Sequence, residues 1–326
     1  MSISFASKIL FVSCLGLSTL AIADTLEQAV SALKAGQTEQ AADLFKQQKS
    51  NPEAMFYLAK IYMQSDLDEA EEWIEKTLKK QPENAEAHYF LGRIMGGQAQ
   101  NSIFSALSYA GKSVDAFTRA VELMPDSVRY RNALMQFHIQ APSIAGGDIE
   151  IAKQQVVEIQ QLDAIAGLKA EIDFASSQDD NKSVEQLLAE AKQTYTDIPD
   201  FFFKAGMIYQ RQENYERAIA ELAQAATKTA LTEDSIKAKY NALYQLGKTA
   251  VLSGNSIESG IQSLNEYIAQ APNFDGMPSR PWAEFRLANL LVLNSQQPEA
   301  KSIYLRLAKN DDKELVKQAK KASKKI

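Results

Sequence analysis

Cysteine and histidine are almost missing from this chain: Cys14 is the one cysteine, and His88 and His138 are the only histidines, in 326 residues. A disulfide framework needs paired cysteines, and a thiolate or imidazole metal centre needs three or four such ligands together. Glu86 and His88 are two apart and so leave a helix in different directions, while His138 lies a structural unit further on. No metal site is expected. A G-x-S-x-G turn, a phosphate-binding loop and an H-E-x-x-H helix are missing too. Gly92, Gly96 and Gly97 do not follow a strand, so they read as packing and turn glycines and not as a dinucleotide fingerprint. The acid pairs Glu71-Glu72 and Asp179-Asp180 read as solvated faces or turns. No catalytic residue and no cofactor are assigned, and an enzyme with an unrecognised site is kept only as a remaining alternative.

An excess of positive charge is also lacking. The 35 Lys and Arg stand against 41 Asp and Glu, giving a net charge of -6 and a pI near 5.2. A surface that tracks nucleic-acid phosphates needs a net basic field, so that class of partner is set aside. Glycine and proline are few, at 14 and 9, and the chain is 45% apolar and 23% charged, the composition of a folded chain with a large core.

The first 23 residues differ from all that follow. Lys8 is their only charge, an apolar run covers residues 9–22, and Ala21-Ile22-Ala23 has the small-x-small form of a cleavage site. This reads as a secretory signal peptide cleaved after Ala23, because the run is shorter than the about 20 residues that span a bilayer. Cleavage removes Cys14 and the charge of Lys8, which excludes a disulfide in the product and suits an oxidising compartment. A second reading makes Phe11-Val12-Ser13-Cys14 a lipoprotein processing box with Cys14 acylated.

From residue 24 onward no period-two strand pattern occurs, and helical spacing returns at intervals of roughly 30 to 45 residues. The stretch DFFFKAGMIYQRQENYERAIAELAQA, residues 200–225, shows the pattern best. Phe202, Gly206 and Tyr209 share one face of a first helix, and Ala218, Leu222 and Ala225 one face of a second. Small Gly206, Ala218 and Ala225 stand where two backbones come close; Phe202, Tyr209 and Leu222 fill the space between. Comparable pairs run through the chain: Leu26 to Phe45; Phe56 to Leu78; Tyr89 to Ala120; Leu134 to Leu162; Leu168 to Ala191; Leu243 to Tyr267; and a last pair from Trp282. Pro52, Pro82, Pro125, Pro199 and Pro272 close units, and the break after Ala141 ends at Asp148, a helix cap. Residues 96–112 are extra in the third unit. Ile103, Leu107 and Ala110 keep helical spacing there, which predicts an added helical turn or two.

This alternation of small and large residues resembles the tetratricopeptide repeat, over about residues 26–309. The resemblance implies an all-α solenoid: about eight antiparallel helix pairs in residues 24–310, stacked as a right-handed superhelix whose first helices line a concave groove. A basic helix, residues 311–326, would cap it. Members of that family commonly bind peptides or protein segments and are rarely enzymes. With an export signal, the chain is similar to periplasmic repeat proteins that serve as envelope scaffolds or assist assembly. The implied function is an adaptor for a protein or peptide of the cell envelope, the alternative being an accessory factor for envelope, cell-wall or maturation-complex assembly.

Carried onto this sequence, the groove side of the first helices comprises Phe56, Lys60, Tyr89, Arg93, Asn132, Gln136, Phe203, Met207, Tyr244, Lys248, Phe285 and Asn289. A bound peptide would stack on the rings while its acidic groups or carbonyls meet Lys60, Arg93 or Lys248. The competing reading has the aromatics wedging adjacent helices apart. The lysine and asparagine pattern with which some members grip a terminal carboxylate is not reproduced. In the terminal helix, Leu315 and Ala319 face one way and Lys317, Lys320, Lys321, Lys324 and Lys325 the other. That arrangement suits a polar cap on a stacked array, or contact with an anionic membrane.

Overall fold

The structure, a computed structural model, describes residues 25–274 and 276–326. The expected leader, with Cys14, lies outside the described residues. Among those described there is no strand, and no helix is long and apolar enough to cross a membrane. The chain forms two compact units, one reaching to Asp179 and one comprising residues 180–326.

In the first unit, α1 covers residues 25–34, followed by α2 (Thr38–Gln47), α3 (Pro52–Tyr62), α4 (Leu67–Lys80), α5 (Ala85–Asn101), α6 (Ala106–Leu123), α7 (Val128–Gln140), α8 (Ile149–Leu162) and α9 (Ala164–Ser177). A 3-10 turn, Ser143–Ala145, precedes α8. The second unit holds α10 (Asn181–Thr194), α11 (Asp200–Arg211), α12 (Tyr215–Thr227), α13 (Glu233–Ser253), α14 (Ile257–Gln270), α15 (Arg280–Leu293), α16 (Gln297–Leu307) and α17 (Lys313–Ser323). Within each unit, consecutive helices joined by short turns pack side by side.

Side-chain caps mark where the helices begin. Asn51 accepts from the Glu53 amide at 2.9 Å, Asn84 from Ala87 at 2.9 Å, and Asp148 from Glu150 at 2.9 Å. Asp66, Asp163, Asp180, Asn214, Thr232 and Asp312 act in the same way on α4, α9, α10, α12, α13 and α17. Each such cap contributes about 1 kcal/mol.

The pairs are held by small residues meeting large ones. In α11 a methyl group on Gly206 would lie 2.5 Å from Cγ of Leu222, which is fully buried with Ala218 and Ala225 on α12. Gly247 of α13 stands against Leu264 of α14 in the same manner, and a Cβ on Gly92 of α5 would lie 2.6 Å from the ring of Phe117 on α6. Ser113 tightens that last contact by donating to the Gly92 carbonyl at 2.7 Å.

Two departures from the sequence reading stand out. The extra residues of the third unit lengthen both α5 and α6, but Ile103 lies in the turn between them and is 89% exposed. Gln98, 5% exposed, holds the lengthened hairpin to α4 by donating to the Leu67 carbonyl at 3.1 Å and to Glu71 at 2.9 Å. The fifth pair, in turn, is divided, because its first helix belongs to the first unit and its second to the second. Gly167 brings α9 onto α8, a Cβ there falling 2.5 Å from the Gln160 Cα. On its own side α10 is tied to α11 and α12. Tyr209 donates to Glu185 at 2.8 Å, and Arg217 makes a two-pronged contact with the same carboxylate at 3.0 and 3.1 Å. Burial, with Glu185, pushes the Tyr209 phenol up to about 12.

Alanine substitution at two helical glycines should therefore act with opposite sign. Gly206→Ala overpacks against Leu222 and should lower stability by about 1–2 kcal/mol after its gain in helix propensity. Gly111→Ala in α6 meets nothing within 4 Å and should raise stability by roughly 0.5–1 kcal/mol. Thermal unfolding followed by circular dichroism reads both, and a stabilised Gly206→Ala would show that the backbones do not approach as described.

Candidate functional site

On α3, α5 and α7 of the first unit, aromatic rings form a continuous ladder. Phe45 of α2 stacks on Tyr57 at 4.9 Å between centroids; Phe56 meets Phe90 edge to face at 5.3 Å; Tyr89 lies 5.4 Å from Phe90 and 5.3 Å from Tyr130. Phe90 and Tyr130 are buried, while Phe56, Tyr57 and Tyr89 are half-buried, so the ladder is anchored in the core and open on one side.

Cations from three helices converge on it. Lys60 Nζ, Arg93 Cζ and Arg129 Cζ lie 5.3, 5.3 and 5.6 Å from the centroid of the Phe90 ring. Arg129 also stacks on Tyr89 at 4.2 Å. Any two of these charges are thus within about 11 Å of each other, where salt only partly screens them. Glu86 lies 3.7 Å from Arg129. Like charges held together over ring faces repel one another and are relieved by an anion. Arg93 also borders a cleft of about 750 Å³ between the α3–α4 turn and the lengthened α5–α6 hairpin, where Asp66, Asp68, Gln98 and Tyr109 are further walls.

The residues proposed from sequence divide between the two units, and this site belongs to the first alone. It unites Phe56, Lys60, Tyr89 and Arg93. Asn132 on α7 is exposed, whereas Gln136 donates to Asp173 of α9 at 3.2 Å. In the second unit Phe203, Met207 and Lys248 are half-buried. Tyr244 and Phe285 are corrections: they are 7% and 5% exposed and sit in the core against Tyr267 and Tyr304, leaving no ring face for a ligand. Asn289 is taken up as well, accepting from the Tyr304 hydroxyl at 2.7 Å. Spacing alone missed Tyr57, Phe90, Arg129 and Tyr130. The signal was present in paired form, since Phe56-Tyr57 and Tyr89-Phe90 are adjacent aromatics in successive units and Arg129-Tyr130 follows in the next.

A family model described as tetratricopeptide repeat matches residues 32–94, which run through α3 and α4 to Ile94 of α5. That stretch is similar to the tetratricopeptide repeat. Among solved structures, yeast Tom70 is similar at 16% identity and a TM-score of 0.60, over 88% of this chain and 58% of that one. The chain thus spans 58% of the length of Tom70, and the likeness is one of fold. A tetratricopeptide repeat protein from Parabacteroides merdae is 13% identical with a TM-score of 0.48, over 83% of this chain and 99% of that one. YrrB, described as a repeat protein with an unusual peptide-binding site, is 16% identical with a TM-score of 0.39, over 64% and 99%. No curated protein matches the chain by sequence.

No group of three or more metal-ligating side chains occurs among the described residues. His88 Nε2 lies 2.8 Å from the Pro82 carbonyl. His138, on α7, is 6% exposed, and its Nδ1 has no protein partner among the described residues. Burial pushes its pKa below the ordinary 6.5, against the opposing pull of Asp148 and the Gly146 backbone. The folded protein therefore holds this imidazole neutral at pH values where the unfolded chain takes up a proton. Its contribution to stability is complete above about 6.5 and is lost as the pH falls below that value towards the folded pKa. Between pH 7 and pH 5 the melting temperature should drop further for the natural protein than for His138→Gln. Equal drops would place His138 in water.

Proposed function

We propose that this chain is a non-catalytic adaptor that binds a protein segment through the ladder face of its first unit, and that the segment carries acidic side chains. The convergence of Lys60, Arg93 and Arg129 on the Phe90 ring carries this reading. The half-buried rings of Phe56 and Tyr89 offer apolar and π surface to a bound segment, while the three cations complement its carboxylates. Arginine suits the second task because its planar fork donates two parallel hydrogen bonds. The face supplies recognition and charge but no nucleophile beside a base, which is the reason for reading it as a binding surface.

The compartment follows from the leader. Export with cleavage after Ala23 would deliver an acidic, cysteine-free protein to the periplasm, where its partner would be a component of the cell envelope. Intact-mass measurement of the protein recovered from a periplasmic extract should give a chain beginning at Asp24. A chain retained in the cytoplasm at full mass would defeat this part, and a lipid adduct on Cys14 would replace it with the lipoprotein reading.

The binding face is tested by charge reversal at two solvent-facing positions. Lys60→Glu with Arg93→Glu should reduce capture of partner from an envelope extract, and binding of a fluorescent Glu- and Phe-containing peptide, by at least about tenfold, or about 1.4 kcal/mol. Helicity should stay unchanged, because neither side chain is buried. Undiminished capture and peptide binding would remove the ladder face from consideration.

A further inference from the structure

The second unit ends in α17, and the two sides of that helix differ in what they touch. Leu315 and Ala319 are fully buried against the core formed with α15 and α16, and Ala322 and Ile326 pack on the same core. On the other side stand Lys313, Lys317, Lys320, Lys321 and Lys324, all exposed. Their spacing puts them on one stripe roughly 16 Å long.

Acids are nearly absent from this stripe. Glu314 lies 3.5 Å from Lys317, and Asp312 is occupied in capping α17 and in accepting from the Trp282 indole at 2.8 Å. Residues 315–326 contain no Asp or Glu, although the whole chain is net acidic at -6. The end of the second unit is therefore a local reversal of sign.

We propose that the lysine stripe of α17 is a docking surface for the phosphodiester headgroups of an anionic lipid bilayer, on which the protein rests by charge alone. The apolar side of the helix is already covered by the protein's own core, so α17 cannot sink into the acyl boundary as a free amphipathic helix does. The stripe belongs to one helix, has no ring platform, and is made of lysines and not arginines. Compact ammonium charges on long flexible stems suit a diffuse surface charge, whereas a shaped acidic peptide is better matched by planar forks over rings, as in the first unit. This surface is independent of the ladder face.

The test is cosedimentation of the full chain with vesicles of phosphatidylcholine alone and with vesicles containing about 30 mol% phosphatidylglycerol, at about 50 and about 500 mM NaCl. Binding to the anionic vesicles at low salt should exceed binding to neutral vesicles, and binding at high salt, by about tenfold or more. Replacing Lys317, Lys320, Lys321 and Lys324 together by Glu should remove that difference, and replacing all four by Arg should preserve it. If the Glu variant loses helicity by circular dichroism, the fourfold Gln variant takes its place. Equal binding to both kinds of vesicle, or an anionic preference that survives the Glu or Gln variant, overturns the proposal. Binding of polyglutamate without binding of anionic vesicles overturns it too, in favour of an acidic protein partner.

Discussion

Close approach of paired helices at small side chains is the constraint on which the remaining architecture depends. Where Gly206 lies under Leu222, or Gly92 under Phe117, there is no room for a methyl group, so the two backbones come as near as a hydrogen-only side chain allows. That closeness sets which faces of the helices turn inward. It also sets how far the next pair stands away, because the large residue that fills the gap also touches the following helix. Burial of alanine throughout the core has the same origin: Ala41, Ala59, Ala70, Ala218 and Ala225 are wholly shielded although each contributes only a methyl group. Their value lies in the contacts they permit between larger neighbours.

The ladder face follows from this geometry. Once α3, α5 and α7 are set side by side by their partners, Phe56 meets Phe90 edge to face, Tyr89 meets Tyr130 at a tilt, and Lys60, Arg93 and Arg129 lie over the rings. Rings with one edge in the core and one face towards solvent are rigid, and rigidity lowers the entropy lost when a ligand is bound. The same helical positions in the second unit have another outcome. Tyr267 and Tyr304, from the second helices, close over Tyr244 and Phe285 and complete a core where the first unit keeps an open face.

Periodicity made the all-helical fold readable, since Phe202, Gly206, Tyr209 and Ala218, Leu222, Ala225 state their spacing directly, and the caps at Asn51, Asn84 and Asp148 fall where proline and polar clusters interrupt it. Half of the ladder face was readable for the same reason: Phe56, Lys60, Tyr89 and Arg93 recur in register. Phe90 and Arg129 escaped notice because their importance lies in meeting across helices, which a spacing within one helix does not encode. Tyr244 and Phe285 misled because an aromatic on a first helix has the same period whether it faces a partner helix or solvent. The rotation that decides between the two is set by neighbours about 20 residues away in the chain.

The sequence by itself determined the helical pairs, their small-to-large packing code, the acidic balance of the chain and the lysine stripe at its end, because each is a local pattern with a local physical cause. Tertiary structure alone decided that α9 and α10 belong to different units, that three cations share one ring, and that the apolar side of α17 is spent on the core. Those outcomes turn on which surfaces meet after the helices have formed. Such meetings are governed by shape and burial summed over many residues, and no single stretch of sequence carries them.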